Sequence, residues 1–203
     1  MNGIVGRLLR SGTQGFVAGC HVSAIETPAF GGLVRAPLGN GYQVYGLIYD
    51  IHIDDDGLVR QLVTAENVSA EVMRDNRERR IVPVEMSVLS VGYEQDGKIS
   101  HLLPPRPPLS LDVIYLCDDN DLARFTSAGR FGYLRHILRA KDAPIGEILA
   151  AHIQQAGAAH KNTKPALSHV EGWKDAAVQE LITLLRDDYP TLMSVLGALG
   201  EVL

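Results

Sequence analysis

Asp54, Asp55 and Asp56 stand together in HIDDDGLVRQLV, and seven histidines are spread over 203 residues, so metal and proton chemistry are the first to be tested. A calcium-binding EF-hand loop needs an acidic first ligand, a glycine in sixth position and a bidentate glutamate in twelfth. Setting Gly57 sixth places His52 first and Val63 twelfth, so both end ligands are of the wrong type. The aspartates read as a solvated turn after a strand. His21, His52, His101, His136, His152, His160 and His169 form no H-x-x-x-H or H-E-x-x-H pair. His152 and His160 would lie about 80° out of phase on a helix, a poor chelate. Cys20 and Cys117 match no C-x-x-C or zinc spacing and read as reduced, buried thiols. His21 beside Cys20 makes no nucleophile pair, because neighbouring strand residues point to opposite faces. Asp50 and Asp54 as scattered hydrolase acids have no spacing that would give them a geometry.

Phosphate chemistry fares no better. The complete string G-x-x-x-x-G-K-[ST] does not occur, since Gly97-Lys98 is followed by Ile99, and neither G-x-G-x-x-G nor G-x-S-x-G is present. The expectation is therefore no catalytic residue, no cofactor and no metal, and a protein that is not an enzyme. Two basic spots remain: Arg74, Arg77, Arg79 and Arg80, broken by Asp75 and Glu78, and Arg130, Arg135, Arg139 and Lys141. With a net charge of -5 and acids interspersed, a salt-bridged, solvated face is favoured over a phosphate-backbone contact.

The elements that would position these residues divide into two regions. Residues 1–117 read as strands. Ile4 to Leu9 and Phe16 to Ile25 flank the turn SGTQG, ETPAFGGLVRAPLGNG reads as loop, and YQVYGLIYDIHI, Tyr42 to Ile53, is the clearest strand. Strict alternation puts Val44, Gly46, Ile48, Asp50 and His52 on one side and Tyr45, Leu47, Tyr49, Ile51 and Ile53 on the other. Gly46 inside that run predicts a bulge or bend. IVPVEMSVLSVGYE, the Asp-Gly turn in QDGK, and KISHLL then form a hairpin, and LDVIYLC is a last short strand. Many short strands with glycine turns predict a small antiparallel β-barrel. Between the hairpin and the last strand lies PPRPP, Pro104 to Pro108. Proline offers no ladder N–H, so it reads as a stiff extended spacer on the way from barrel to helical tail, in preference to a docking ligand.

Residues 118–203 read as helical. Acidic residues precede Leu122 as a helix start prefers, Pro144 suits the first turn of the next helix, and a linker is expected near 160–167. Ser168 and Glu171 have capping-box spacing, and Pro190 separates the last two helices. These two are amphipathic, and a short helical pair buries its apolar stripe poorly alone, so it should pack on the barrel, on another copy or on a partner. The N-terminal MNGIVGRLLRSG has no apolar leader and no segment approaches the ~20 apolar residues of a membrane span, which predicts a soluble, cytoplasmic protein.

The order GIVGRLLRSGTQGFVAGCH, VYGLIYDIHIDDDGLVRQL and VEMSVLSVGYEQDGKISHLLPPRPPLSLDVIYLCDDNDLARF resembles the HAS barrel, the small N-terminal barrel of HerA-type DNA-translocating ATPases and of rotary ATP synthase subunits. Gly46, the VLSVGYEQDGKI hairpin, the proline-rich exit and APIGEIL carry the resemblance, over residues 3–149. In HerA-type enzymes a nucleotide-hydrolysing motor follows; here a helical tail follows, and no catalytic residue carries over. The resemblance implies an assembly or adaptor protein, accessory to a HerA-like ATPase or a nuclease, or a ring-forming homo-oligomer. The expected partner surface comprises Arg77, Arg79, Arg80 and Arg106 with Trp173, Leu181, Leu192, Leu196 and Leu199 of the tail. The alternative is a nucleic-acid-binding barrel, with Tyr42, Tyr45 and Tyr49 as stacking platforms and the arginines of 74–80 on phosphate.

Overall fold

Period-two alternation of apolar side chains in the front half builds a wall with two faces, and the structure, a computed structural model, shows how it closes. Residues 3–22, 28–53, 64, 69, 82–141, 143–163 and 172–201 are described. Among them the strands are β1 (Ile4–Ser11), β2 (Gly15–Val22), β3 (Leu33–Gly39), β4 (Tyr42–Ile53), β5 (Val82–Gln95), β6 (Lys98–Ser100) and β7 (Val113–Leu116). The sheet order is β2-β1-β7-β3-β4-β5-β6, and β2 pairs again with β5. Every pairing is antiparallel, so six strands close into a barrel and β6 hangs on the edge of β5 beyond the end of β2. Closure removes the open edges along which sheets aggregate.

The lumen is filled by Val5, Leu8, Phe16, Ala18, Val34, Ala36, Val44, Ile48, Val84, Met86, Val88 and Ile114. Two register shifts between β4 and β5 bend the wall. At Tyr45/Gly46 the pairing jumps from Gly92 to Ser90, leaving Val91 as the extra residue on β5. Gly46 is required there, because a Cβ would fall inside the Val88 side chain and 3.0 Å from the Leu89 carbonyl oxygen. The second shift, between Ile48 and Asp50, makes Tyr49 the extra residue and flips the alternation. Ile51 therefore packs on the lumen cluster, not beside Tyr45 and Leu47 as strict alternation predicts.

The stretch expected to be loop contains β3. It pairs with β4 from Leu33 to Gly39 and with β7 at Val34 and Arg35. Pro37 is tolerated because it lies past the two-residue contact with β7, where no second ladder needs its missing N–H. PPRPP is likewise no spacer between barrel and tail. It joins β6 to β7, with Pro104 and Pro108 buried. The Tyr42 hydroxyl donates to the Arg106 carbonyl (2.9 Å), and the Ser11 hydroxyl donates to the Pro108 carbonyl. The segment is tied across the barrel end.

Among the described residues five α-helices follow: α1 (Asp119–Ser127), α2 (Leu134–Leu138), α3 (Ile145–Asn162), α4 (Trp173–Leu184) and α5 (Tyr189–Gly200). The Asp118 carboxylate caps α1 by accepting from Asp121 N–H at 2.9 Å. Because α3 continues to Asn162, residues 160–162 of the expected linker are helical. The proposed Ser168–Glu171 capping box lies outside the described residues. The helices cover the outside of β3–β4–β5, where Leu33, Tyr45, Leu47 and Val91 join one apolar cluster with Phe125, Tyr133, Leu149 and Ile153. Gly31, at φ +77°, permits a close approach, since a Cβ there would stand 2.7 Å from Ala151 of α3. Trp173, Leu181 and Leu199 belong to this same core, at 3%, 0% and 0% exposure, with Leu192 and Leu196 packed partly against it. The tail thus spends its apolar stripe on its own core. No described helix is long and apolar enough to cross a membrane.

Candidate interaction surface

The barrel has a covered side and a bare one. On the covered side, a polar joint locks α1 to the wall. Arg124 grips Glu94 with two hydrogen bonds (2.9 and 2.7 Å), and Glu94 also accepts from the Tyr45 hydroxyl (2.7 Å) and Gln43 (2.6 Å). Arg35 pairs with Asp121 at 3.2 Å and extends the joint to β3. The Arg124 hydrogen bonds hold the Glu94 carboxyl at about 2, well below the carboxylate range, with Tyr45 and Gln43 adding to the effect. Burial first, then the bond to Glu94, pushes the Tyr45 phenol up and keeps it a donor.

On the bare side, no described helix makes a substantial contact with β1 or β7. Ile4 is 67% exposed, Leu9 48%, Leu109 68% and Leu111 71%. Backbone pairing brings Leu9, Leu109 and Leu111 to one end of β1, whereas Ile4, opposite Tyr115, lies at its other end. Leu111 N–H donates to Leu8 O (2.8 Å), Leu8 N–H to Asp112 O (2.9 Å), and Ser110 Oγ to Leu9 O (3.2 Å), so the turn before β7 is pinned beside the end of β1. The Asp112 carboxylate closes this turn by accepting from Leu109 N–H at 2.7 Å. Leu111 sits at φ +75°, a left-handed conformation that disfavours a branched side chain by roughly 1–2 kcal/mol. This apolar shoulder is the surface that sequence reasoning missed. Its signal was the pair Leu109 and Leu111 after four prolines, which is readable only once β7 is known to pair with β1.

The predicted site residues fare unevenly. Arg77, Arg79 and Arg80 lie outside the described residues, as does the Asp54–Asp56 run. Arg106 is exposed, with its guanidinium over the Tyr42 ring at 5.6 Å. Trp173, Leu181 and Leu199 offer no surface, because they are spent in the core. Tyr42 and Tyr45 are buried at 5% and 0%, so they cannot stack a base; only Tyr49 is part-exposed. Cys20 and Cys117 are free thiols, and burial raises the pKa of each, so neither is poised as a thiolate. Gly92 stands five residues before Gly97, so G-x-x-x-x-G-K is present at Gly92–Lys98. It forms the β5–β6 hairpin, not a strand–loop–helix, and so makes no helix-end cradle for phosphate. Among the described residues no group of three His, Cys, Asp or Glu could hold a metal ion.

Comparison with known proteins adds no identity: no family model and no curated protein matches the chain.

Proposed function

We propose that the protein is a non-catalytic assembly subunit, an adaptor whose β1/β7 shoulder docks on a protein partner. The observation that carries this reading is Leu111, at φ +75° and 71% exposed, beside the end of β1 where Leu9 is also exposed. Exposed apolar side chains grouped at one place on the surface are a mark of an interface. The closed six-stranded antiparallel barrel with a helical tail supports the resemblance to the HAS barrel, and through it a HerA-type ATPase or its partner nuclease, or a ring of identical subunits, as what docks there. The nucleic-acid reading loses its stacking platform with Tyr42 and Tyr45 buried, and is not pursued.

Light scattering of the full chain, alone and mixed with a HerA-type ATPase, tests the proposal. The expected result is a defined oligomer or a stoichiometric complex that L109D/L111D abolishes without lowering the melting temperature. A strict monomer that binds no ATPase or nuclease overturns it.

A further inference from the structure

A cleft of about 800 Å³ opens on another part of the barrel, where β2 and β6 part along the edge of β5. Its apolar body is formed by Leu89, Leu103 and the part-exposed Tyr49; the Phe16 and Val88 side chains beside it belong to the lumen. Around this body stand Arg10 at the end of β1, His136 and Arg139 at the end of α2, and Lys141 beyond it. None of Arg10, Arg139 and Lys141 is ion-paired with a described carboxylate, and no described carboxylate lines the cleft. In a chain with 24 acidic and 19 basic side chains, this is a local reversal of sign. It also departs from the salt-bridged face expected of the 130–141 spot. Ser90 lines the cleft too, and its hydroxyl, fully buried, has no hydrogen-bond partner.

We infer that this cleft binds a small phosphorylated molecule, with the phosphate held by Arg10, Arg139 and Lys141 and a compact apolar or aromatic body lying on the Tyr49, Leu89 and Leu103 side. The chemistry fits each part. Guanidinium groups take phosphate oxygens in pairs, and lysine supplies a point charge. The volume lies within the ordinary range for a small-molecule site, where an apolar floor gives affinity and a few polar groups give orientation. Three separated pieces of chain supply the cations, so the site exists only in the folded protein.

Adenosine monophosphate and inorganic pyrophosphate are the probes, titrated into the full chain and followed by amide chemical shifts. The expected result is saturable shifts at Gly15, Ser90 and Ala140 by about 5 mM adenosine monophosphate, as an interaction of a few kcal/mol gives. R10Q and R139Q, both exposed and unpaired, each weaken binding about tenfold, the loss of one charge-assisted contact. R186Q, an exposed arginine paired with Asp187 and remote from the cleft, leaves binding unchanged. Absence of saturation, or equal binding by R139Q and R186Q, overturns the inference. Tight, steeply salt-dependent binding of oligothymidylate at the same amides without binding of adenosine monophosphate also overturns it, and would make the cleft a nucleic-acid surface instead.

Discussion

Mild acid should loosen this protein through His152, and the size of the effect follows from where that ring sits. His152 is fully buried on α3, facing the Gly31 carbonyl at 3.4 Å and the Tyr133 hydroxyl at 3.2 Å. Neither neighbour is a carboxylate that would favour the imidazolium. Burial drives its pKa down from 6.5 to about 4, with the Gly31 contact opposing weakly. The unfolded chain takes up the proton near 6.5 and the folded chain only near 4, so the unfolded state binds more protons throughout that interval. Stability is full above pH 6.5 and falls as the pH drops toward 4. At about 1.4 kcal/mol per pH unit over 2.5 units the loss from this one ring comes to about 3.4 kcal/mol, of which about 2.6 kcal/mol is lost by pH 4.5. Against the 5–15 kcal/mol of a typical domain that is a large share. The assay is urea unfolding at pH 7, 6, 5 and 4.5, comparing the chain with H152Q. At pH 7 the variant is less stable by roughly 1–2 kcal/mol, having lost two polar contacts. Its decline with acid is shallower by about one proton, so the two curves converge or cross by pH 4.5. Burial also lowers the pKa of His101, His136 and His160, so the variant retains part of the slope. The depressed Glu94 carboxyl acts in a lower window, from 4.5 down to about 2, and leaves this comparison alone. If H152Q and the parent chain lost stability in parallel from pH 7 to 4.5, the reasoning about the buried ring would be refuted.

Other outcomes follow from the same packing. G46A should destabilise by about 2 kcal/mol or more, because the added methyl meets Val88 inside the lumen; thermal melting reads it. W173A should cost about 3–5 kcal/mol, since Trp173 is buried and stacked on His160 at 4.8 Å, and a fall in melting temperature without any change in association separates a core role from a docking one. R124A should cost about 2 kcal/mol, a value reduced from that of a fully buried pair by the partial exposure of the guanidinium; E94Q on the same joint should cost less, as its amide oxygen still accepts. L111G should leave stability unchanged or raise it by up to about 1 kcal/mol while weakening association, a pairing of signs that only a strained contact residue gives, read by unfolding and light scattering together.

Several features were legible from local chemistry alone. The span of β4 from Tyr42 to Ile53, the Asp96-Gly97 turn, the bend at Gly46, the acidic start of α1 and the proline entry to α3 all express preferences that a few neighbouring residues decide. What stayed hidden depended on partners distant in sequence. Residues 33–39 look like loop because of Pro37 and the glycines at 31, 32 and 39, and they become a strand only when β4 and β7 arrive on either side. Both faces of β4 are apolar, so nothing local says that Val44 and Ile48 fill the lumen while Tyr45 and Leu47 lie under helices. The same uncertainty made Trp173 and Tyr45 look like contact residues and left Leu109 and Leu111 unremarked. Backbone propensity is a local property and is written in short strings, whereas exposure is set by which strand closes the barrel and which wall the helices choose, and that choice is made by the sum of long-range burial.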